Sequence, residues 1–178
     1  HRALVEVFAA NVAAAFANVA LFEELEHLAY HDSATGLRNR AGLLHALAAW
    51  NSRCRTDRDA AEPVLALIDV ADFGSTNHHL GHDAGGALLA AIARRLEGHV
   101  ASGGLVARVG DDLFALVGPA RLVAPEALRQ ALLEPFSLPS PTALSDLDDV
   151  LGGACEAGAV QRVNVRFAIG FAASLQGG

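Results

Sequence analysis

Residues 2–30 set apolar side chains among alanines with no glycine or proline between them, which predicts one long helix. Val5, Phe8, Val12, Ala15, Val19 and Phe22 alternate spacings of three and four. That is a heptad seam with β-branched valine at one core position. Leu25 and Leu28 carry the apolar stripe onward. An ordinary amphipathic helix lying on its own domain gives the same spacing over so short a stretch, so stalk and packed helix both stand as readings.

His31-Asp32-Ser33 breaks this pattern, with Asp32 or Ser33 as the expected cap of a second helix filled by Arg40 to Trp50. Arg53 to Glu62 reads as a polar connection. Pro63 to Val70 is a continuous apolar run of strand length, which predicts a central strand buried on both faces. His82 to Val100 predicts a helix with Leu88, Leu89, Ile92 and Leu96 on one face. Leu105 to Ala107 and Ala115 to Val117 flank Arg108-Val109-Gly110-Asp111-Asp112-Leu113-Phe114, read as strand, two-residue acidic turn, strand. Pro125 to Leu133 predicts a short helix. Ser137 to Gln161, with Asp146, Asp148, Asp149 and Gly152-Gly153, reads as a long irregular loop, and Val163 to Ala173 as a final strand. A hairpin beside βα units predicts an α+β sandwich with helices on the sheet faces.

Composition narrows this little. The 178 residues, 52% hydrophobic and 19% charged, suit one globular domain with an appendage. A net charge of −7 argues against nucleic acid as a partner, because phosphate backbones are met by basic surfaces. Cys54 and Cys155 lack metal-ligand spacing, so a reducing, cytoplasmic setting is expected over a disulfide. No apolar run approaches the ~20 residues that span a bilayer, so no membrane insertion is expected. The start at His1-Arg2, without Met or a signal-peptide pattern, suggests a piece of a longer protein. His27, His31, His45, His78, His79, His82 and His99 form no zinc-like set.

Five segments in order resemble the GGDEF domain family of bacterial diguanylate cyclases. Asp32 to Arg40 is similar to its D-x-L-T-G-L-x-N-R entry, with Ala34 for leucine. Ile68-Asp69-Val70-Ala71-Asp72-Phe73 with Asn77 resembles D-x-D-x-F-K-x-x-N, departing at Ala71 and Gly74. Gly81 to Leu89 resembles G-H-x-x-G-D-x-L-L, and Phe167 to Ala172 the S-I-G-V/I-A strand. Gly110-Asp111-Asp112-Leu113-Phe114 stands where the family has Gly-Gly-Asp/Glu-Glu-Phe.

The resemblance implies a nucleotide-cyclase-like sandwich: a mostly antiparallel five-stranded central sheet flanked by helices. Residues 1–30 would be a signalling or coiled-coil helix and 31–178 the GGDEF domain, its last helix missing or beyond the chain end. Active members condense two GTP molecules into cyclic di-GMP with two divalent metals. By the same resemblance Asp69 and Asp112 are metal-ligating carboxylates, Val70 gives a backbone carbonyl, and Asn77 reads guanine. Asp111 occupies the phosphate-admitting glycine position beside Gly110, and Gly86 replaces the aspartate that partners Asn77. Leu113 replaces the catalytic glutamate and can neither ligate a metal nor take a proton. The product-binding R-x-x-D, due at Ala101 to Gly104, is absent.

A degenerate, inactive domain is therefore expected, with no required cofactor and only Mg2+ with GTP left open. Its expected role is regulatory: a homodimer through the N-terminal helix, linked to or partnered with an EAL- or HD-type phosphodiesterase domain. Non-hydrolysing GTP binding that activates such a domain, and a variant active cyclase, are the alternatives.

Overall fold

In the computed structural model residues 2–56, 63–139 and 160–172 are described. Helix α1 covers Arg2–Tyr30 and α2 Arg40–Thr56. Strand β1 (Val64–Val70) leads to α3 (Phe73–Leu80) and α4 (His82–Val100), then to β2 (Leu105–Arg108) and β3 (Leu113–Gly118). After α5 (Ala120–Val123) and α6 (Pro125–Leu132) come β4 (Phe136–Pro139), β5 (Val160–Val163) and β6 (Phe167–Ala172).

The central sheet runs β2-β3-β1-β6, antiparallel throughout. Side chains alternate across it. On one face Ala66, Ile68, Val70, Phe114 and Leu116 bury against Leu88, Ile92 and Leu96 of α4. On the other, Ala107, Ala115 and Val117 pack with Leu43 of α2, and Leu65 and Trp50 close the edge. The apolar face expected of residues 82–100 is thus the main core contact.

Four boundaries differ from expectation. The second helix is capped by neither Asp32 nor Ser33: Asn39 Oδ1 accepts the Gly42 N–H at 2.9 Å, while Asp32 accepts from the Thr35 backbone and hydroxyl. A cap must sit directly before the first turn, and Asp32 is too far upstream. The acidic turn holds three residues, Gly110 to Asp112, because Val109 pairs with Leu113. α3 was not foreseen; its sequence, Phe-Gly-Ser-Thr-Asn-His-His-Leu, has no buried residue and hence no apolar period to read.

The fourth concerns the sheet, which has four strands rather than five. Both ends of the expected 137–161 loop are strands, β4 and β5, paired in a separate two-stranded sheet. Arg95 of α4 explains the placement of β4: it donates to the carbonyls of Glu134 and Pro135 and lies 3.7 Å from the Phe136 ring centre. Phe136 and Leu138 are buried there beneath α4. Asp146, Asp148, Asp149, Gly152, Gly153, Cys155 and residues 173–178 lie outside the described residues.

α1 forms as expected, yet its seam is uncovered: Phe8, Val19 and Phe22 are 69%, 56% and 70% exposed. The packed-helix reading therefore fails for this part of the seam. The expectation that nothing reaches membrane-spanning length also needs correction. Glu6–Tyr30, mean hydropathy 1.3, is long and apolar enough by length and composition alone. Counting uninterrupted apolar runs missed it, because small residues and asparagines scattered among valines and phenylalanines dilute the run without adding charge.

Candidate functional site

The candidate site lies where β1 ends beside the hairpin. Register places Asp69 opposite Leu113, and the Val70 N–H donates to the Asp112 carbonyl at 3.0 Å. Asp69, Val70, Asp112 and Leu113 therefore meet, as the resemblance implied. Asp69 alternates with Ile68 and Val70 and so lies on the α2 side of the sheet, away from the main core. Its cross-strand neighbour on that face is leucine. Two carboxylates and one apolar side chain occupy the positions from which a hard cation would draw its protein ligands. Among the described residues no group of three or more His, Cys, Asp or Glu side chains is placed to hold a metal ion. The residues present do not fit a two-metal centre.

Asp111 is exposed at the hairpin tip. Its backbone is unstrained, since Asp72 is the only non-glycine with positive φ among the described residues. Gly110 is not left-handed either. The three-residue turn thus accommodates aspartate without conformational cost, and what Asp111 changes is charge.

Arg108 holds the hairpin in place, a role that sequence reading missed. Its side chain is 13% exposed. One guanidinium nitrogen donates to Asp32 Oδ1 and Oδ2 at 3.0 and 3.2 Å, the other to the Asp111 carbonyl at 2.7 Å. Burial pushes the Asp32 carboxyl up, but the Thr35 hydrogen bonds and the Arg108 charge outweigh it, leaving its pKa below the ordinary value. The Arg108 N–H also donates to the Arg38 carbonyl at 2.8 Å. The only sequence signal for this clamp is an arginine at a strand end facing a turn aspartate 76 positions away, which no local pattern reveals.

Asn77 lies on α3 against α4. Its Nδ2 donates to His82 Nδ1 at 3.2 Å, and its Oδ1 is buried without a partner. A Cβ at Gly85 would overlap that oxygen, so this glycine is what admits Asn77. Gly86, where the resemblance expects aspartate, faces open space. Asp72, at the N-terminal end of α3 with φ 55°, makes no side-chain cap and pairs with Arg166 instead. Carboxylates 69, 72, 111 and 112 thus gather around the end of β1. Arg108 and Arg166, the arginines described there, are already engaged.

A family model described as "Diguanylate cyclase, GGDEF domain" matches residues 29–134. The chain belongs to the GGDEF domain family. It is 38% identical over 126 residues to diguanylate cyclase TpbB of Pseudomonas aeruginosa, covering 68% of this chain and 28% of that protein. It is 38% identical over 99 residues to diguanylate cyclase DgcM of Escherichia coli, covering 56% and 24%. The chain thus spans under a third of the length of these relatives. Among solved structures, the TpbB GGDEF domain superposes with TM-score 0.60 at 27% identity, covering 80% of this chain and 74% of that one. The coiled coil and GGDEF domain of DgcB from Caulobacter crescentus gives TM-score 0.69 at 20% identity, covering 94% and 81%, a likeness of fold.

Proposed function

We propose that this GGDEF domain makes no cyclic di-GMP and serves as a dimeric, signal-transmitting element of cyclic di-GMP signalling. The observation that carries the reading is Leu113 opposite Asp69: where the family resemblance puts a metal-ligating, catalytic glutamate, the hairpin presents an alkyl chain. Asp111 supports it, since a carboxylate about 4 Å from phosphate repels it by roughly 1 kcal/mol even in bulk water. Gly86 supports it from the base side. Each lost charged hydrogen bond to guanine forgoes about 1.5–3 kcal/mol.

The protein incubated with Mg2+ and GTP should release pyrophosphate and cyclic di-GMP no faster than a protein-free control, measured by chromatography. Turnover above that control overturns the reading. The exposed seam of α1 supports the homodimer, and a cytoplasmic setting with a linked or partner EAL- or HD-type phosphodiesterase domain completes the proposal. A solved neighbour carries the S helix-GGDEF-EAL arrangement, at TM-score 0.55 and 17% identity.

A second reading, GTP bound without turnover as an allosteric ligand, is favoured by one observation: Asp69 and Asp112 remain adjacent to the Val70 backbone. Calorimetry with Mg2+–GTP on the parent and on Asp69→Ala decides it. Heat that disappears in the variant supports this reading, and no heat at millimolar GTP eliminates it.

A further inference from the structure

Helix α1 leaves the domain with its apolar side chains in solvent, Leu21, Leu25 and Leu28 at 57%, 64% and 63% exposure as well as the seam already described. That seam ends badly. After Phe22 the next two core positions of the same heptad are Glu26 and Ala29. One residue earlier a second heptad runs Leu4, Val7, Asn11, Ala14, Asn18, Leu21, Leu25, Leu28. It is strongest where the first fails, next to the domain. It is weakest at Asn11 and Asn18, where the first has Val12 and Val19.

Both asparagines fall at the a position, four residues after a d position and three before the next. Asparagine there is tolerated in parallel paired helices, where it sets register at a cost in stability. A second copy of this helix presents an asparagine at the same height, and that makes it the fitting occupant.

We propose that α1 pairs with α1 of a second copy through either of two registers one residue apart. Exchange between them turns each domain about its helix by about 100°. This rests on the dimeric reading above. Neither register is complete: one buries Glu26, the other Asn11 and Asn18. Their defects lie at opposite ends of the seam, which keeps the two in competition.

The joint to the domain is stiff enough to pass the turn on. The Tyr30 carbonyl accepts the Asn39 N–H at 2.9 Å, and Asn39 Nδ2 donates to the Ala29 carbonyl at 2.9 Å and the His31 carbonyl at 3.3 Å. Gly42 packs directly on the Tyr30 carbonyl, with no room for a Cβ.

Ala14 and Ala15 are adjacent d positions, one in each register, and supply small reporters. In a Cys54→Ser, Cys155→Ser background, Ala14→Cys and Ala15→Cys are oxidised separately and the disulfide-linked dimer is quantified. Both should cross-link to a similar extent. Glu26→Leu should favour the Ala15→Cys dimer, and Asn11→Leu with Asn18→Leu the Ala14→Cys dimer, each by about tenfold or more. The domain melt should not move in any variant, because this segment of α1 is wholly unburied. A dimer in which one reporter alone cross-links, unmoved by these substitutions, overturns the two-register proposal and leaves the dimer standing. A monomer by light scattering, or a chain recovered only with detergent or vesicles, overturns both.

Discussion

The Asp32–Arg108 pair shows how a residue far from any chemistry holds the hairpin. Asp32→Ala removes a largely buried, charge-assisted contact and leaves Arg108 under-partnered, its Nε already lacking a partner. A loss of about 1–3 kcal/mol in urea unfolding at pH 7 is expected. The sign of its pH dependence follows from a folded pKa below the unfolded one. The stabilisation is present above the ordinary carboxylate range and is lost as pH falls through the folded value. The stability gap between the parent and Asp32→Asn should therefore narrow on acidification below about pH 4. A gap that widens in acid contradicts the assignment. Gly85 gives a second residue-scale test. Gly85→Ala should cost roughly 1–3 kcal/mol by pressing on Asn77, and Asn77→Ala should recover much of it in a double-mutant cycle. Simple additivity would show that the side chain moves aside freely.

At the scale of elements, the helices and strands owe their extents to patterns of different visibility. β1 and α4 were legible because each carries a long apolar period, and both formed where expected. α3 carries none and exists because α4 and the end of β1 hold it. β4 and β5 were hidden for another reason: Phe136 and Leu138 find their burial under α4 through Arg95, a contact across 39 residues or more. Arg95→Ala should loosen this hairpin before the central sheet, with faster hydrogen exchange at residues 136–138 than at 64–70. Equal acceleration in both would mean that they open as one unit. The candidate site divides in the same way. Asp69, Asp112 and Leu113 were identified from the resemblance and meet as implied, whereas Arg108 and Gly85 act through partners that only folding supplies.

For the whole molecule, stability should reside in the sandwich and not in α1. Ile92, fully buried, is expected to cost about 2–5 kcal/mol on truncation to alanine. Phe16, 73% exposed, should change the domain's unfolding by less than about 0.5 kcal/mol. Urea titrations of Ile92→Ala and Phe16→Ala compare the two, and a large effect of Phe16→Ala would mean that α1 folds back onto the domain.

Read by itself, the chain determined its apolar periods, its family likeness and the chemistry missing at position 113, because each is a matter of residue type at a spacing along one strand of sequence. The number of strands in the central sheet, the three-residue turn, the Arg108 clamp and the exposure of α1 were decided only in three dimensions. Each depends on which distant surfaces compete to bury the same side chain or to satisfy the same backbone group, and that competition has no period.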